Sequence, residues 1–210
     1  MAEYFSKDKW KYIFHTMNHP ADGYYEIRHR NRGSVPIALI LVAVFSLCFS
    51  MNRIFASFIV NDVDPRTVDS LDELGAVFAL YLLFCVGNWS ITCLMSGEGR
   101  FKDIIITVGY ALLPMIICYI IGTVFSQFVA SDEEAFYYLI IAIGIAWSVF
   151  LVLIGIMQIH NYTFGKTMIT LFLTFIAMLF IIFVLLLFAD LVGQVYGFIY
   201  SIYTELIFRT

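Results

Sequence analysis

The chain has 210 residues, of which 61% are hydrophobic and 13% charged, and its formal net charge is −4. Soluble proteins are about 45–50% apolar and about 25% charged, so this composition excludes an ordinary soluble globule and predicts a protein of the lipid bilayer. The excess of acids also excludes the basic surface that nucleic-acid binding requires. The cysteines lie in apolar runs, without the spacing of a zinc, redox or disulfide framework.

Residues 1–34 are polar and form the first of two predicted parts, a cytoplasmic segment. His19-Pro20 and Asp22-Gly23 are expected to end a helix there, because proline disfavours helix at the preceding residue and Asp-Gly favours a turn. Before them, an apolar face among lysines predicts a short amphipathic helix in the membrane interface. This face is a candidate partner contact, with a simple membrane anchor as the alternative. Its apolar residues at helical spacing are Trp10, Ile13, Phe14 and Met17.

Five apolar runs are long enough to cross the hydrocarbon core, which requires about 20 helical residues. The predicted spans are residues 35–60, 74–95, 104–129, 135–159 and 167–189. The residues leave the course of a sixth run, 191–208, open: it crosses, lies in the interface, dips and returns, or continues the fifth span as one helix bent near Gly193. We therefore predict an all-α fold in which residues 35–210 form a polytopic membrane helix bundle with five transmembrane helices and a C-terminal apolar or interfacial helix.

The charges between the spans alternate in sign. Basic residues dominate before the first span, acids dominate the loop 61–73, and Arg100 with Lys102 marks the second loop. Residues 132–134 are all acidic, and Lys166 lies in the fourth loop. Because Lys and Arg favour the cytoplasmic side, this pattern predicts a cytoplasmic N-terminus.

Few polar side chains lie inside the predicted spans. Arg53 is expected to extend toward the outer headgroups. Asn88 and Trp89 give the second span a polar end, although Trp89 also suits an aromatic belt. If the second and fourth spans are neighbours, Asn88, Gln158 and Asn161 would line a cytoplasmic vestibule, and the chain would be a small transporter or channel.

The sequence contains no phosphate-binding, hydrolase or dinucleotide motif. His15 and His19 are four residues apart but lack the acid of a zinc-binding helix, and proline follows at once. We therefore predict no catalytic residue, no metal ligand and no cofactor, and expect that the chain is not an enzyme. Helices in lipid associate through small residues, and Gly193, Gly197 and Ser201 form such a ladder for packing inside the bundle or against another protein.

Several short motifs in order along the chain resemble the Yip1 family. They are the loop Ser96-Gly97-Glu98-Gly99-Arg100-Phe101-Lys102-Asp103, the following Gly109-Tyr110 with Pro114, the segment Asp72-Glu73-Leu74-Gly75, and Asn161-Tyr162-Thr163-Phe164-Gly165-Lys166. Asn88-Trp89 together with that loop is similar to the bacterial branch, whose members often accompany carbohydrate ABC transport systems. The likeness covers nearly the whole chain.

The resemblance implies a non-enzymatic accessory or scaffold protein of the bacterial plasma membrane. Its partners would be membrane lipids and other integral membrane proteins, with the permease of an ABC importer as the expected one. The eukaryotic branch, which binds prenylated Rab GTPases, has a longer polar N-terminal region and often Gly-Pro where this chain has Gly75-Ala76. Rab binding is therefore not transferred.

The loop between the second and third spans allows two interpretations. In the first it is structural: Gly97 and Gly99 adopt positive φ, a tight turn directs Glu98 toward the spans, Asp103 caps the third helix and Phe101 packs in the interface. In the second, charged side chains of the loop contact a cytoplasmic partner. The residues in question are Glu98, Arg100 and Lys102.

Overall fold

The computed structural model describes residues 7–61 and 63–208, which contain α-helices, two short 3-10 helices and loops but no strand. The α-helices are α1 (Lys7–Asn18), α2 (Pro20–Arg30), α3 (Val35–Phe55), α4 (Ser70–Leu94), α5 (Phe101–Ala111), α6 (Leu113–Ser126), α7 (Glu134–His160) and α8 (Phe164–Phe208). Long enough and apolar enough to cross a membrane are α3, α4, α5 together with α6, α7, and α8. The predicted all-α membrane bundle is confirmed.

Helix α5 lies at the centre of the bundle and packs against α3, α4 and α7, whereas α8 lies at the edge, mainly against α4. A Cβ at Gly109 would lie 2.7 Å from the Cβ of Ala38, so the backbones of α5 and α3 approach closely at this point. Such approach favours helix association in lipid, where dispersion contacts replace the hydrophobic effect. The core therefore forms around α5.

The bundle has two chemically different ends. The basic end comprises the start of α3, the end of α4, the start of α5, the end of α7 and the start of α8, and it carries Arg28, Arg100, Lys102 and Lys166. The acidic end comprises the end of α3 and the starts of α4 and α7, with acids in the connecting loops and first helical turns. Five spans place the loops alternately at these two ends.

The third span is not the single helix that the sequence predicted. It breaks at Leu112, between α5 and α6, where the Leu112 N–H reaches the carbonyl of Gly109 at 3.3 Å. Pro114 explains the break, because proline has no N–H to donate and its ring crowds the carbonyl four residues before it.

The described part of the N-terminal segment, residues 7–34, also contains more helix than predicted. The expected turn at Asp22-Gly23 is wrong, because both residues lie inside α2. A Cβ at Gly23 would lie 2.8 Å from Thr16 Cα, so glycine at this position lets α2 pack against α1. Tyr24 and Ile27 of α2 are fully buried, and α2 packs on α7. The two helices thus form a cap on the basic end.

Helix α8 contains both the fifth and the sixth apolar runs, whose connection the sequence left open. It is one continuous helix of 45 residues, about 67 Å long, so the fifth and sixth runs are joined. Residues 182–203 are exposed, and among the described residues no atom outside this helix lies within 4 Å of a Cβ built at Gly193 or Gly197. The predicted small-residue ladder therefore takes no part in packing inside the bundle.

Arg53 is not simply extended toward the headgroups, as the sequence suggested. It forms an ion pair with Glu73, which also accepts a hydrogen bond from the Ser50 hydroxyl. The neighbouring Asn52 donates to Thr123 Oγ1 at 2.8 Å and accepts from the Tyr137 hydroxyl at 2.9 Å. These bonds connect α3 with α4, α6 and α7 at the acidic end. The ion pair among them also gives Arg53 the counter-ion that a partly buried charge needs.

We expect Glu73→Gln to lower the free energy of unfolding by about 2 kcal/mol, because Arg53 then loses its counter-ion in a partly buried site. Thermal unfolding of the purified protein in detergent measures the change. Glu134→Gln removes an exposed carboxylate at the same end and serves as the matched control. Equal losses in the two variants would contradict a stabilising role for the ion pair.

Candidate functional site

The loop between α4 and α5 lies against the C-terminal end of α7. The Gly97 N–H donates to the Thr92 carbonyl at 2.7 Å, and the Gly99 N–H donates to His160 Nδ1 at 3.2 Å. The expected positive φ at the glycines is wrong: no described glycine has one, and the left-handed residue of the loop is Ser96, at φ 54°. The turn therefore occurs one residue earlier than predicted.

The two loop glycines are required for space and not for φ. A Cβ at Gly97 would lie 2.5 Å from His160 Nδ1 and 2.6 Å from the Tyr162 hydroxyl oxygen. A Cβ at Gly99 would lie 2.8 Å from His160 Cε1. Contacts this short do not occur in folded proteins, so only glycine lets the loop lie on the histidine ring.

His160 is the residue on which the loop rests, and it is 1% exposed. Because Nδ1 accepts from the Gly99 N–H, the ring proton is on Nε2, which has no partner among the described residues. The ring stacks on Tyr162 with centroids 5.3 Å apart, and the Tyr162 hydroxyl donates to the Met95 carbonyl at 3.2 Å. Sequence reasoning gave His160 only an interfacial position. The glycines facing it were the signal that a close contact was needed.

Glu98, at the tip of the loop, forms an ion pair with Arg28 of α2. The bond from Arg28, together with its charge, lowers the pKa of the Glu98 carboxyl below its ordinary value. Arg28 also donates to the Ile159 carbonyl at 3.0 Å. The loop, α2 and α7 are thereby joined at one guanidinium group.

Arg100 and Asp103 form a capping arrangement at the start of α5. Asp103 is 1% exposed and accepts from the Arg100 backbone N–H at 3.2 Å and from Arg100 Nε at 2.9 Å. Arg100 Nη2 donates to the Arg28 carbonyl at 3.1 Å and to Asn31 Oδ1 at 3.0 Å, and Lys102 Nζ donates to the same oxygen at 3.0 Å. All three charged loop residues thus have contacts within this chain, and their partner-contact role stays a prediction.

The aromatic and small residues predicted as a structural motif lie partly beside this loop and partly inside the bundle. Phe101 packs edge-on against Trp89, with ring centroids 5.6 Å apart. The Tyr110 hydroxyl accepts from the Ser34 N–H at 3.1 Å and so holds the connection between α2 and α3 to α5. Gly109 and Pro114 act farther inside, at the α3 contact and at the helix break.

The structure does not bring the residues of the predicted vestibule together. Asn88 is fully buried and donates to Thr174 Oγ1 of α8 at 3.1 Å. Asn161 is exposed and ends α7 in the left-handed conformation, while Gln158 lies in the last turn of α7. Asn88 is therefore a contact between helices α4 and α8.

The predicted face of α1 is divided in the structure. Trp10 and Phe14 are 38% and 53% exposed, whereas Ile13 is buried and Met17 packs on the core. Trp10 and Phe14 are therefore accessible to a partner or to lipid, Met17 is half-buried, and Ile13 is not accessible. The described residues contain no group of three or more His, Cys, Asp or Glu that could hold a metal ion.

Comparison with known proteins gives one match. The family model described as the Yip1 domain matches residues 14–187, which includes the loop, His160 and the first half of α8. No curated protein and no solved structure matches the chain.

We expect Gly99→Ala to destabilise the protein by about 1–3 kcal/mol, because the added methyl group overpacks the loop against His160. The loss of folded protein after detergent extraction and the melting temperature measure this effect. Gly75→Ala is the control: nothing lies within 4 Å of a Cβ at this helical position, so alanine should be neutral or slightly stabilising. Equal behaviour of the two variants would contradict the role of the close contact.

Proposed function

Since the chain belongs to the Yip1 family and is an integral membrane protein, we propose that it is a non-enzymatic accessory or scaffold subunit that acts by contacting other integral membrane proteins. The ionisable groups at the basic end support this proposal. Glu98, Arg100 and Lys102 contact Arg28, Asp103 and Asn31 within this chain, so they join structural elements and do not form a catalytic arrangement.

The observation that carries the proposal is the length and exposure of α8. The helix begins at the basic end and is about 67 Å long, whereas the hydrocarbon core is about 30 Å thick. Its second half remains apolar, and large side chains such as Tyr196 and Phe198 are exposed. Residues 182–203 are exposed in the part of the chain that the structure describes, and an apolar surface of this size is typical of an interaction site.

The identity and place of the partner rest on the family resemblance. Asn88-Trp89 with the Gly97 to Asp103 loop is similar to the bacterial branch, so we propose the permease of a carbohydrate ABC importer as partner and the bacterial plasma membrane as location. The basic residues gathered at one end support a cytoplasmic N-terminus, because Lys and Arg favour that side.

A small transporter or channel is the second candidate. It is favoured by the break at Leu112 inside the third span, since discontinuous helices often line substrate sites in transporters. The cavity beside the break has a volume of about 620 Å³, but its lining is almost wholly apolar, which does not suit an ion or a sugar. Solute flux through the protein in liposomes would favour this candidate over a scaffold.

We expect a photo-reactive amino acid at Tyr196 or Phe198 to crosslink to a second integral membrane protein in native membranes, because these side chains lie in the exposed stretch 182–203 of α8. The measurement is a shifted band on a gel, identified by mass spectrometry. The control position is Val149 of α7, which is also exposed but belongs to a helix that packs within the bundle. Crosslinks only to lipid at all three positions would contradict the proposal.

Orientation has a separate test. In a Cys93→Ala background, Ser131→Cys should react with an impermeant reagent on intact cells, and Ser96→Cys should react only after permeabilisation. Cys93 is removed because it is exposed and close to Ser96. Reaction of Ser96→Cys from outside would reverse the proposed orientation.

A further inference from the structure

We propose that a pocket at the basic end binds the phosphate group of an anionic phospholipid. The pocket has a volume of about 420 Å³ and lies between α1, the connection from α2 to α3, and the start of α5. Lys9, Arg100 and Lys102 contribute cations to its lining, and Asp103 contributes a carboxylate. The lining therefore has an excess of positive charge.

The carboxylate does not neutralise the pocket. Asp103 is buried and engaged by Arg100 through both its backbone N–H and its Nε. Among the described residues, Lys102 forms no ion pair, and its Nζ donates to the neutral oxygen of Asn31. The positive charge of Lys102 is thus available to an anion.

Two cations converge on a single neutral atom in this pocket. Arg100 Nη2 and Lys102 Nζ both donate to Asn31 Oδ1 at 3.0 Å, so these nitrogens are at most about 6 Å apart. Asp103 offsets the charge of Arg100. An anion here would therefore be attracted chiefly to Lys102, whose ammonium group has two further N–H groups to donate. A phosphate group accepts bonds from several donors at once, as this arrangement requires.

The position and apolar part of the lining indicate where the phosphate comes from. The pocket lies at Val35, where the first span begins, and this is the level of lipid headgroups. Ile27 and Ile106 add an apolar surface beside the cations. A phospholipid places its phosphate next to hydrocarbon in the same way, and basic pockets between transmembrane helices are known to bind lipid headgroups.

Thermal unfolding of the full chain in detergent tests the proposal, because a ligand that binds only the folded state raises its melting temperature. The probes are phosphatidylglycerol, phosphatidylcholine as the uncharged control, and inorganic phosphate at matched ionic strength. We expect a saturable increase with phosphatidylglycerol alone. For Lys102→Gln, half-saturation should require about fivefold more lipid, since one lysine near a membrane surface contributes about that factor.

Arg66→Gln is the matched control, because it removes an exposed cation at the acidic end. Lys9→Gln gives a second test if Lys102→Gln reduces folding. A saturable increase with inorganic phosphate that Lys102→Gln weakens would support the phosphate site but assign it to a soluble ligand. An equal response of the wild type and both lysine variants to phosphatidylglycerol, or no response to either anion, would overturn the proposal.

Discussion

The close approach of α5 to its neighbours determines how the rest of the bundle is arranged. At Gly109 its backbone nearly touches α3, and Tyr110 beside it holds the connection that leads into α3. The N-terminal cap depends on the same helix, since Tyr24 of α2 is buried against it near Thr107. In lipid no hydrophobic effect drives helices together, so small residues and polar contacts at such crossings determine which helices pack.

At the basic end, a series of contacts from the loop between α4 and α5 holds the N-terminal helices in place. Two residues without Cβ atoms let the loop lie on His160, and the loop then carries Glu98 to Arg28 and Arg100 to Asn31. These contacts explain the glycine-rich segment without a bound metal, since the described residues contain no cluster that could hold one. Its glycines serve packing, and its charges join secondary-structure elements that are distant in sequence.

Much of the fold was predictable because the bilayer demands long apolar helices, and the five spans follow from that demand alone. The partner of Arg53 was not predictable, since a hydropathy pattern does not report which side of a helix faces another. Gly23 and Gly99 were misinterpreted for one reason: backbone freedom is visible in a sequence, whereas close contact between distant segments is not. The break at Leu112 had a local signal in Pro114, which the apolar run obscured.

For the candidate site, the sequence identified the loop but missed His160, whose importance depends on what packs on it.

The ion pair between α3 and α4 has a consequence for how the protein enters the membrane. Arg53 lies in the last turn of α3 and Glu73 in the first turn of α4, so the first candidate span carries a charge whose partner follows some twenty residues later. An unpaired arginine inside a bilayer is unfavourable, and this cost falls when the opposite charge arrives. Insertion of α3 and α4 as one hairpin would avoid an intermediate in which Arg53 is alone. The ion pair therefore favours insertion of the first two spans as a unit over insertion of α3 by itself.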